Sequence, residues 1–428
     1  MAGLLYTSAI LLLLPVAFLH LLWRSRRQPE YLRHWGERLG HYGGRVAPKG
    51  PVIWIHAVSV GETRAAEPLV ALLRIRYPNH GIVFSHTTPT GRATAREMYG
   101  DRIERLYLPY DTPGAVRRFL RHLQPVLGVV METEIWPNLV AVCAQRDIPL
   151  LLVNARLSAR SARRYARLPT LTRNALRGLS GIAAQGEEDA RRLGELGAQG
   201  VTVTGNLKFD LAPSQELVER GRAWRHEWER SATGQGRAVL LAASTREGEE
   251  LLILDALRRK PIPKLLLLLV PRHPQRFDAV AQLAAGMGFR VQRRSGGVAL
   301  AADTTLLLGD SMGEMYAYYA ASDLAFIGGS LLAYGSQNLI EACAVGTPVL
   351  LGPSTHNFAW AAAAALACGA ARQVADADEL VAAATALLGD KIKREAMGEA
   401  GLQFSARHRG ASERTLELLE KYLTPAAR

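Results

Sequence analysis

The stretch VIWIHAVSVGETRAAEPLVALL, residues 52–73, joins an apolar strand pattern to an apolar helical pattern through a very short turn. Val52–His56 predicts a buried strand, and Ala65–Ile75 has the spacing of a helix. The turn between them, Ser59–Glu62, places a glutamate three residues after a capping residue, which is the capping-box pattern. Glu62 is therefore either a helix cap or a carboxylate that a strand end presents for catalysis.

This alternation of strand and helix continues through the chain and predicts an α/β fold. The other predicted strands are Ile82–Ser85, Leu127–Met131, Pro149–Val153, Ile182–Ala184, Val239–Ala242, Leu265–Val270, Arg290–Gln292, Thr305–Leu308, Leu324–Ile327 and Pro348–Leu351. Pro113–Leu123 and Asn138–Arg146 are predicted helices between them. The pattern stops at Gly205–Val218, and a polar helix, Glu216–Arg230, follows. We therefore expect two doubly wound Rossmann-like domains that face each other across a cleft and bind ligands where their strands end.

The composition is that of a globular protein with a basic surface. The 428 residues include 52 Lys+Arg and 39 Asp+Glu, a net charge of +13, which favours phospholipid, a phosphorylated substrate or nucleic acid as partner. The three cysteines, Cys143, Cys343 and Cys368, are widely spaced and suggest neither a zinc site nor a disulfide framework. This usage fits a reducing compartment.

The N-terminal stretch Gly3–Trp23 contains 21 residues without Lys, Arg, Asp or Glu, about the length needed to cross a bilayer. It is followed by three arginines, Arg24, Arg26 and Arg27, and preceded by no basic side chain. The positive-inside rule then leaves the body of the protein in the cytoplasm. A buried or interfacial helix is the alternative, which Pro15 and His20 favour.

A basic segment, residues 155–180, contains seven arginines and no acidic residue. They are Arg156, Arg160, Arg163, Arg164, Arg167, Arg173 and Arg177. Such a segment is either a solvated helix face or an anion-binding surface turned toward phosphorylated lipid.

Three further turns repeat the pattern of the first: Ser244–Glu247, Ser311–Glu314 and Asn338–Glu341. Taken singly, each glutamate is predicted to close the first turn of its helix. Helix N-termini also present free N–H groups and a partial positive charge, which suit a phosphate. At Glu62, this partial charge is expected to keep the carboxylate ionised and to lower its basicity.

Other polar side chains also follow predicted strands. Glu132 and Glu134, in METEIWPN, come directly after an apolar strand. Arg272, in VPRHPQRF, follows the apolar run LLLLLV, where a guanidinium would suit a phosphate. Alternatively, Arg272 pairs with an acid on a neighbouring loop.

Several familiar catalytic motifs do not occur in the sequence. It contains no GxxxxGK[ST] phosphate loop and no HExxH. Asp376-Ala-Asp378 precedes a helical pattern and is interpreted as a helix cap rather than a metal site. The motifs that are present fit the transfer of a group from a nucleotide-linked donor without a metal ion.

The chain resembles the bacterial 3-deoxy-D-manno-octulosonic acid (Kdo) transferases from its N-terminal anchor to its C-terminal helices. The matching motifs are SVGE, TPTG, YLPYD, METEIWPN, NARLSARS, AAQGEED, VTVTGNLKFD, LVPRHPQRF, GDSMGEM and GGSL. The resemblance implies a GT-B glycosyltransferase that transfers Kdo from CMP-Kdo onto the acylated, phosphorylated lipid A precursor of lipopolysaccharide. It implies the cytoplasmic face of the inner membrane, contact with membrane lipids, no nucleic acid, and neither a metal nor another cofactor. The expected domains are an anchor (1–24), an acceptor-binding domain (25–212) and a donor-binding domain (213–428).

The resemblance also implies roles for individual residues. Glu62 would be the general base of a one-step, inverting displacement. Independently of the resemblance, Glu132 and Glu134 are the alternative bases if the turn at residues 131–138 lies nearer the acceptor. The donor would be held by Pro271, Arg272, Met312, Gly313, Glu314, Asn338, Leu339, Ile340 and Glu341, and the acceptor by Ser59, Gly61, Arg156 and Arg160. The donor loop departs from the family pattern, because many relatives look like GGHNPLE where this chain has YGSQNLIE. Gln337 stands in place of His and Leu339 in place of Pro.

Two other functions were weighed. One is another membrane-associated GT-B glycosyltransferase or a sugar-nucleotide epimerase, which UDP or ADP rather than CMP would stabilise. The other is a membrane-tethered, non-catalytic protein that binds anionic lipid through its basic surface. Absence of turnover with CMP-Kdo and a lipid acceptor would favour the latter.

Overall fold

The apolar strand Val52–His56 lies inside a seven-stranded parallel sheet. The structure is a computed structural model that describes residues 2–26, 28–43, 50–231 and 237–423. The strands of this first sheet are β1 (Val52–His56), β2 (Gly81–His86), β3 (Glu104–Tyr107), β4 (Pro125–Met131), β5 (Leu150–Ala155), β6 (Gly181–Ala184) and β7 (Val201–Val203). Their order in the sheet is β3-β2-β1-β4-β5-β6-β7.

The helices of this part of the chain cover both faces of the first sheet. They are α1 (Ala2–Ser25), α2 (Val60–Ala65), α3 (Glu67–Arg76), α4 (Pro89–Tyr99), α5 (Pro113–Leu123), α6 (Pro137–Ala144), α7 (Ala159–Tyr165), α8 (Pro169–Arg177) and α9 (Glu187–Glu195). Short 3-10 helices lie at Pro29–Leu32, Trp35–Leu39, Gly100–Arg102 and Leu207–Asp210.

The central strands of the first sheet are largely apolar because helices cover both of its faces. All five residues of β1 are buried, as expected for a parallel sheet that is covered on both faces. Beside Trp54 the neighbouring strand β4 has Gly128, where a Cβ would lie 2.6 Å from Leu150 Cδ1 and 2.9 Å from the Trp54 ring. The buried Trp54 Nε1 donates to Ser85 Oγ at 2.8 Å, so its one polar group is satisfied.

A second seven-stranded parallel sheet forms from the C-terminal half. Its strands are β8 (Ala238–Thr245), β9 (Leu265–Pro271), β10 (Val291–Arg293), β11 (Leu306–Leu308), β12 (Leu324–Ile327), β13 (Val349–Leu351) and β14 (Ala371–Gln373), in the order β10-β11-β9-β8-β12-β13-β14. The helices are α10 (Gln215–Ser231), α11 (Glu249–Arg259), α12 (Phe277–Gly286), α13 (Met315–Ala320), α14 (Ile340–Ala344), α15 (Ala359–Ala367), α16 (Ala377–Gly389) and α17 (Lys391–Arg407), with 3-10 helices at Pro274–Arg276 and Arg294–Gly296.

The last helix, α18 (Ala411–Leu423), packs on the first sheet rather than the second. The carboxylate of Asp210 accepts hydrogen bonds from the backbone N–H groups of Gly410 and Ser412, which holds the start of this helix. The compact units are therefore Met1–Leu211 with Arg409–Arg428, and Ala212–His408. The sequence-based division lay one residue further on, and it assigned the last segment to the second domain. That segment returns to the first because α18 has an apolar face that the first core buries.

The order of each sheet reverses at one point, and ligands of open α/β sheets bind outside the strand ends at such a point. In the first sheet the reversal lies between β1 and β4, so the loops that follow these two strands are neighbours. In the second sheet it lies between β8 and β12. Functional side chains are therefore expected in the loops at these two positions.

The strands that sequence analysis missed, β3, β7 and β14, all lie at sheet edges. Edge strands are half-covered, so they are short and carry polar residues instead of an apolar run. The predicted helix Ala65–Ile75 is in fact two helices, α2 and α3, which meet at Ala66. Pro68 explains the break, because proline has no N–H for the helical hydrogen bond and is tolerated only in a first turn.

The apolar helix α1 is long and apolar enough to cross a membrane. It is not a buried core helix: large apolar side chains such as Leu4, Leu12 and Leu19 are exposed. Near its start, however, it contacts the first unit, because Tyr6 Oη donates to Asp111 Oδ2 and Thr7 Oγ1 donates to Asn138 Oδ1, both at 2.9 Å. Among the arginines expected after the helix, Arg27 lies outside the described residues.

Candidate active site

Glu62 follows β1 and does cap its helix. Ser59 is the N-cap of α2, and its Oγ accepts a hydrogen bond from Glu62 N at 3.3 Å. Glu62 Oε2 accepts from Val58 N at 2.6 Å, and Ser59 Oγ donates to Glu62 Oε1 at 3.2 Å. The capping interpretation is thus confirmed, but it does not exclude catalysis, because the carboxylate remains half-buried at the point where the strand order reverses.

The pKa of Glu62 differs from what the helix start alone would produce. Burial raises the pKa of Glu62 to about 7, and the charges of Glu132 and Glu134 add to this effect against the hydrogen bonds from Val58 and Ser59. The expectation that the helix start keeps Glu62 ionised and weakly basic is wrong, because loss of solvation outweighs the partial charge. A carboxylate with a pKa near 7 is suited to take a proton at neutral pH.

Glu132 and Glu134 follow β4, and the sheet order brings them close enough to Glu62 to affect its charge. Glu132 has a φ of 59° and pairs with Lys208, whose Nζ lies 3.0 Å from Glu132 Oε1. Burial would raise the pKa of Glu132, but Lys208 and Arg156 outweigh it and the pKa is lowered. Burial raises the pKa of Glu134. Glu132 is thus held as an ion-paired carboxylate, a poorer proton acceptor than Glu62.

The four expected acceptor residues occupy different surroundings. Ser59 holds Glu62, as described above, and Gly61 is exposed at the start of α2. Arg156 is half-buried after β5, within electrostatic range of Glu132. Arg160 is exposed on α7, outside this group of carboxylates. The structure therefore brings Ser59, Glu62 and Arg156 to one edge of the first sheet.

In the second unit, Pro271 ends β9 and Arg272 follows it at the carboxyl end of the sheet. Arg272 Nε donates to Gln337 Oε1 at 3.1 Å, and Arg272 N donates to the carbonyl of Thr245 at 3.0 Å. Gln337, the residue at which this chain departs from the family pattern, thus orients the guanidinium that is expected to hold the donor phosphate.

Three more basic side chains surround Arg272. Arg246 Nη1 lies 3.1 Å from His273 Nε2. Burial lowers the pKa of His273, and the charges of Arg246, Arg272 and Arg276 lower it further. Arg276 pairs with the buried carboxylate of Glu250. Arg276 Nη1 and Nη2 lie 2.6 and 3.0 Å from the carboxylate oxygens of Glu250. The cluster around Arg272 is therefore electropositive, which suits a phosphate.

The expected donor residues at 311–314 form an exposed turn. Met312 is 60% exposed, and Gly313 has a φ of 82°, a conformation that favours glycine. Glu314 is the N-cap of α13, but its side chain pairs with Arg220 at 3.1 Å and Arg294 at 3.3 Å. The predicted capping box is wrong here, because Ser311 Oγ donates to the Glu314 carboxylate instead of accepting from the helix.

The donor residues at 338–341 begin a helix later than predicted. The helix α14 starts at Ile340 instead of Asn338, and Asn338 bridges to it: its Oδ1 accepts from Ile340 N and its Nδ2 donates to Glu341 Oε1, both at 3.1 Å. The side chains of Leu339 and Ile340 are buried. Only the backbone groups of these two residues could therefore reach a ligand.

Sequence analysis missed Glu249, a fully buried carboxylate after β8. It accepts hydrogen bonds from Gly329 N at 2.6 Å, Arg246 N at 2.8 Å and Leu331 N at 3.0 Å. It thereby ties the loop after β8 to the loop after β12, where the strand order reverses. The predicted capping box Ser244–Glu247 is wrong, since Ser244 still belongs to β8 and α11 begins at Glu249. The sequence feature that could have identified this carboxylate is the pair of consecutive acids at the start of α11, Glu249 and Glu250.

Metal sites in proteins are usually formed by clusters of His, Cys, Asp and Glu side chains. In the part of the chain that the structure describes, no three His, Cys, Asp or Glu side chains come together in a way that could hold a metal ion. Asp376 caps α16, accepting from Glu379 N at 2.9 Å, which confirms the interpretation of Asp376-Ala-Asp378 as a cap. Transfer without a metal stays a prediction.

Comparison with known proteins identifies both halves of the chain. Residues 33–211 match the family "3-Deoxy-D-manno-octulosonic-acid transferase (kdotransferase)", and residues 243–404 match "Glycosyl transferases group 1". The chain is 44% identical to 3-deoxy-D-manno-octulosonic acid transferase of Bordetella pertussis, covering 98% of this chain and 99% of that protein. It is 40% identical to the enzyme of the same name from Haemophilus influenzae, covering 98% of each.

Solved structures share the fold at low sequence identity. A glycosyltransferase from Rickettsia africae superposes with a TM-score of 0.61 at 14% identity, over 89% of this chain and 100% of that one. A putative UDP-N-acetylglucosamine 2-epimerase from Listeria monocytogenes has a TM-score of 0.59 at 15% identity, over 89% and 98%. The two parallel sheets and these matches confirm the expected GT-B glycosyltransferase fold. With 44% identity across nearly its whole length, the chain belongs to the 3-deoxy-D-manno-octulosonic acid (Kdo) transferase family.

Proposed function

We propose that the protein transfers Kdo from CMP-Kdo to a hydroxyl group of the acylated, phosphorylated lipid A precursor, with inversion at the anomeric carbon. Membership of the Kdo transferase family supports the transferred sugar. The observation that carries the mechanism is the Glu62 carboxylate, which lies in the first turn of α2, just after the buried strand β1, and has a pKa of about 7. Such a group can accept the proton that an attacking hydroxyl must lose.

In the first unit, Glu62 accepts the hydroxyl proton while the hydroxyl oxygen forms a bond to the anomeric carbon. A sugar hydroxyl is only weakly acidic, so proton removal accompanies attack and does not precede it. Ser59 and Val58 hold the carboxylate in place through hydrogen bonds. Lys208 holds Glu132 in its charged form, which helps to keep the pKa of Glu62 high.

In the same step, the bond from the anomeric carbon to the phosphate oxygen breaks, and its electron pair leaves with CMP. Arg272 and the neighbouring Arg246 supply positive charge for the departing phosphate. Gln337 fixes the orientation of the Arg272 guanidinium. We propose that Gly313 and the backbone N–H of Leu339 add further contacts to the donor, since the N–H of Ile340 is already bonded to Asn338. One-step displacement needs no covalent sugar–enzyme intermediate, and we propose that it needs no metal.

A reconstituted reaction tests this function directly. The full-length protein in detergent, supplied with CMP-Kdo and the lipid A precursor, is expected to yield a lipid heavier by whole Kdo residues in mass spectrometry. EDTA is expected to leave the rate unchanged. A protein that is thermally stabilised by UDP but not by CMP, and that forms no Kdo-lipid, would contradict the proposal.

We further propose that the protein lies at the inner membrane with its body on the cytoplasmic side. The support is the apolar helix α1, whose leucines are exposed and which is followed by basic residues such as Arg24 and Arg26. Because Tyr6 near its start and Phe18 near its end both contact the body, we propose that the helix lies in the cytoplasmic leaflet and does not cross the bilayer. The arginines of the basic segment on α7 and α8 would add attraction to anionic lipid, about 1 kcal/mol for each one near the surface.

Deleting residues 1–24 is expected to yield a protein that no longer sediments as an integral membrane protein. Attachment through the basic segment would remain, and high salt is expected to remove it, since charges at a surface are screened within about 10 Å at 0.1 M salt. Sedimentation with washed membranes measures both effects. It is carried out at about 0.1 M salt and again at about 1 M salt, where screening is stronger. Salt-resistant attachment of the truncated protein would contradict the anchor.

A further inference from the structure

A cavity of about 520 Å³ lies beyond the carboxyl end of β4, within the first unit. Its walls come from residues 133–137, from the helices α7 and α8, and from α1. Most of the surface is apolar, with Ile135, Trp136, Leu168 and Leu171 among the lining side chains. Its volume lies within the range of roughly 300–1,000 Å³ that is typical of small-molecule sites. It is therefore large enough for part of a lipid.

The cavity shares one residue with the group of carboxylates around the proposed catalytic base. Glu134 lines it, and the charge of Glu134 is one of the causes that raise the pKa of Glu62. An acceptor whose hydroxyl group reaches Glu62 would therefore have a wall of this cavity within electrostatic range.

The cavity is also continuous with the helix that is suited to enter lipid. Tyr6 of α1 lines the cavity and donates a hydrogen bond to Asp111 Oδ2 at 2.9 Å, which fixes this end of the helix against the body. On the outward side of the same helix, Leu4, Leu5 and Leu12 are 74%, 71% and 78% exposed. A hydrocarbon chain that runs along α1 could reach the cavity without crossing water, which avoids the cost of exposing apolar surface.

The cavity has a basic rim that matches a phosphorylated lipid. Arg164 lines it, and Arg160, Arg163 and Arg167 are exposed on and just after the same helix, α7. The segment from residue 155 to residue 180 has no acidic side chain to compensate them. An apolar cavity with cations at its edge fits a ligand that has both a hydrocarbon chain and a phosphate.

We propose that this cavity binds one acyl chain of the acceptor lipid, with an acceptor phosphate on the arginines of α7. This inference rests on the proposed function, and it assigns recognition of acylation to a particular site. The apolar contacts would lower KM for an acylated acceptor, whereas the chemical step at Glu62 would not depend on them. A bilayer phospholipid also has acyl chains, so it is the competing occupant of the cavity.

Leu168→Glu in the full-length protein tests the proposal. Leu168 lines the cavity and is 61% exposed, so the substitution is expected to leave folding intact. KM for the acylated acceptor in phospholipid-free detergent is expected to rise roughly tenfold or more, because even one methylene contact in a pocket contributes at least that factor. The same phosphorylated disaccharide with its acyl chains removed is expected to show a smaller rise in KM, because it experiences only the repulsion between the new carboxylate and its phosphate.

Two further variants separate the cavity from side effects. Ile75→Glu places the same charge at an apolar position on α3 that is 79% exposed and remote from the cavity lining, and should change neither KM. Leu171→Trp fills the cavity without adding charge, and should raise KM only for the acylated acceptor. Thermal unfolding of each variant reports on folding.

The possible outcomes distinguish the inference from the function on which it rests. If the wild type transfers Kdo to neither acceptor, the proposed function fails. If it transfers Kdo but Leu168→Glu and Leu171→Trp affect both acceptors equally or neither, the acyl-chain site is wrong. If the variants instead lose only their binding to vesicles of phosphatidylethanolamine and phosphatidylglycerol, the cavity holds bilayer lipid and the proposal is overturned.

Discussion

Glu62→Gln is expected to reduce Kdo transfer by about a hundred- to ten-thousand-fold, the usual contribution of a general base. Glutamine keeps the size of the side chain and can still accept the hydrogen bond from Val58 N, so the cap of α2 persists. It cannot accept a proton from the acceptor. The variant should therefore fold and bind CMP like the wild type, which calorimetry with CMP and single-turnover assays would measure together.

The pH dependence follows from the raised pKa of Glu62. The carboxylate is the active form, and with a pKa of about 7 it predominates only above that pH. Transfer by the wild type should thus fall as the pH drops below about 7, and this part of the profile should be absent in the residual activity of Glu62→Gln.

Because the folded state binds the proton more tightly than the unfolded chain, the stability contributed by protonated Glu62 is lost as pH rises through 7. At pH 8 the neutral glutamine should therefore leave the melting temperature equal or higher.

Glu132→Gln and Glu134→Gln are the controls, since either could be the base if Glu62 is not. Glu132→Gln removes the partner of Lys208 and one of the charges that raise the pKa of Glu62. It should shift the acidic limb of the pH profile to lower pH, whereas loss of the base would abolish that limb. Near-normal turnover by Glu62→Gln would refute the assignment and leave Glu132 and Glu134 as the candidates.

Arg272→Ala is expected to weaken CMP binding and to slow transfer together. A hydrogen bond to a charged group contributes roughly 1.5–3 kcal/mol, which corresponds to about a ten- to 150-fold change in dissociation constant. The guanidinium lies at the end of β9 and is oriented by Gln337, so the loss should be close to this full value. Titration calorimetry with CMP and the ratio kcat/KM for CMP-Kdo measure the two effects.

Two further variants test whether the effect of Arg272→Ala on CMP binding is specific to this guanidinium. Arg258→Ala removes an exposed arginine of α11 that pairs only locally with Asp255, and should change neither quantity. Gln337→Leu removes the acceptor of the Arg272 Nε hydrogen bond, and should weaken CMP binding less than Arg272→Ala does. Unchanged CMP affinity in Arg272→Ala would assign this arginine a structural role only.

Much of the fold was predictable because its signals are local. The apolar run of β1, the capping serine at 59 and the uncharged stretch of α1 are each readable over a few residues or turns. Periodicity and capping depend on neighbours in sequence, so these predictions agree with the structure. The edge strands β3, β7 and β14 escaped the same reasoning, since a half-covered strand has no apolar run to detect.

What only the tertiary structure decided concerns residues that are distant in sequence. The sheet order places the loop after β4 beside the loop after β1, and so brings Glu132 and Glu134 close enough to affect Glu62. The pairing of Arg276 with the buried Glu250 depends likewise on which loops meet.

The sequence by itself determined the family, the strand-end position of Glu62 and the apolar N-terminal helix. The tertiary structure decided the proton affinity of Glu62, the partner of Glu132 and the cavity that Tyr6 helps to line. The physical reason is that burial and charge proximity act through space. A pKa near 7 at Glu62 arises from lost solvation and neighbouring carboxylates, neither of which is encoded in the residues next to it.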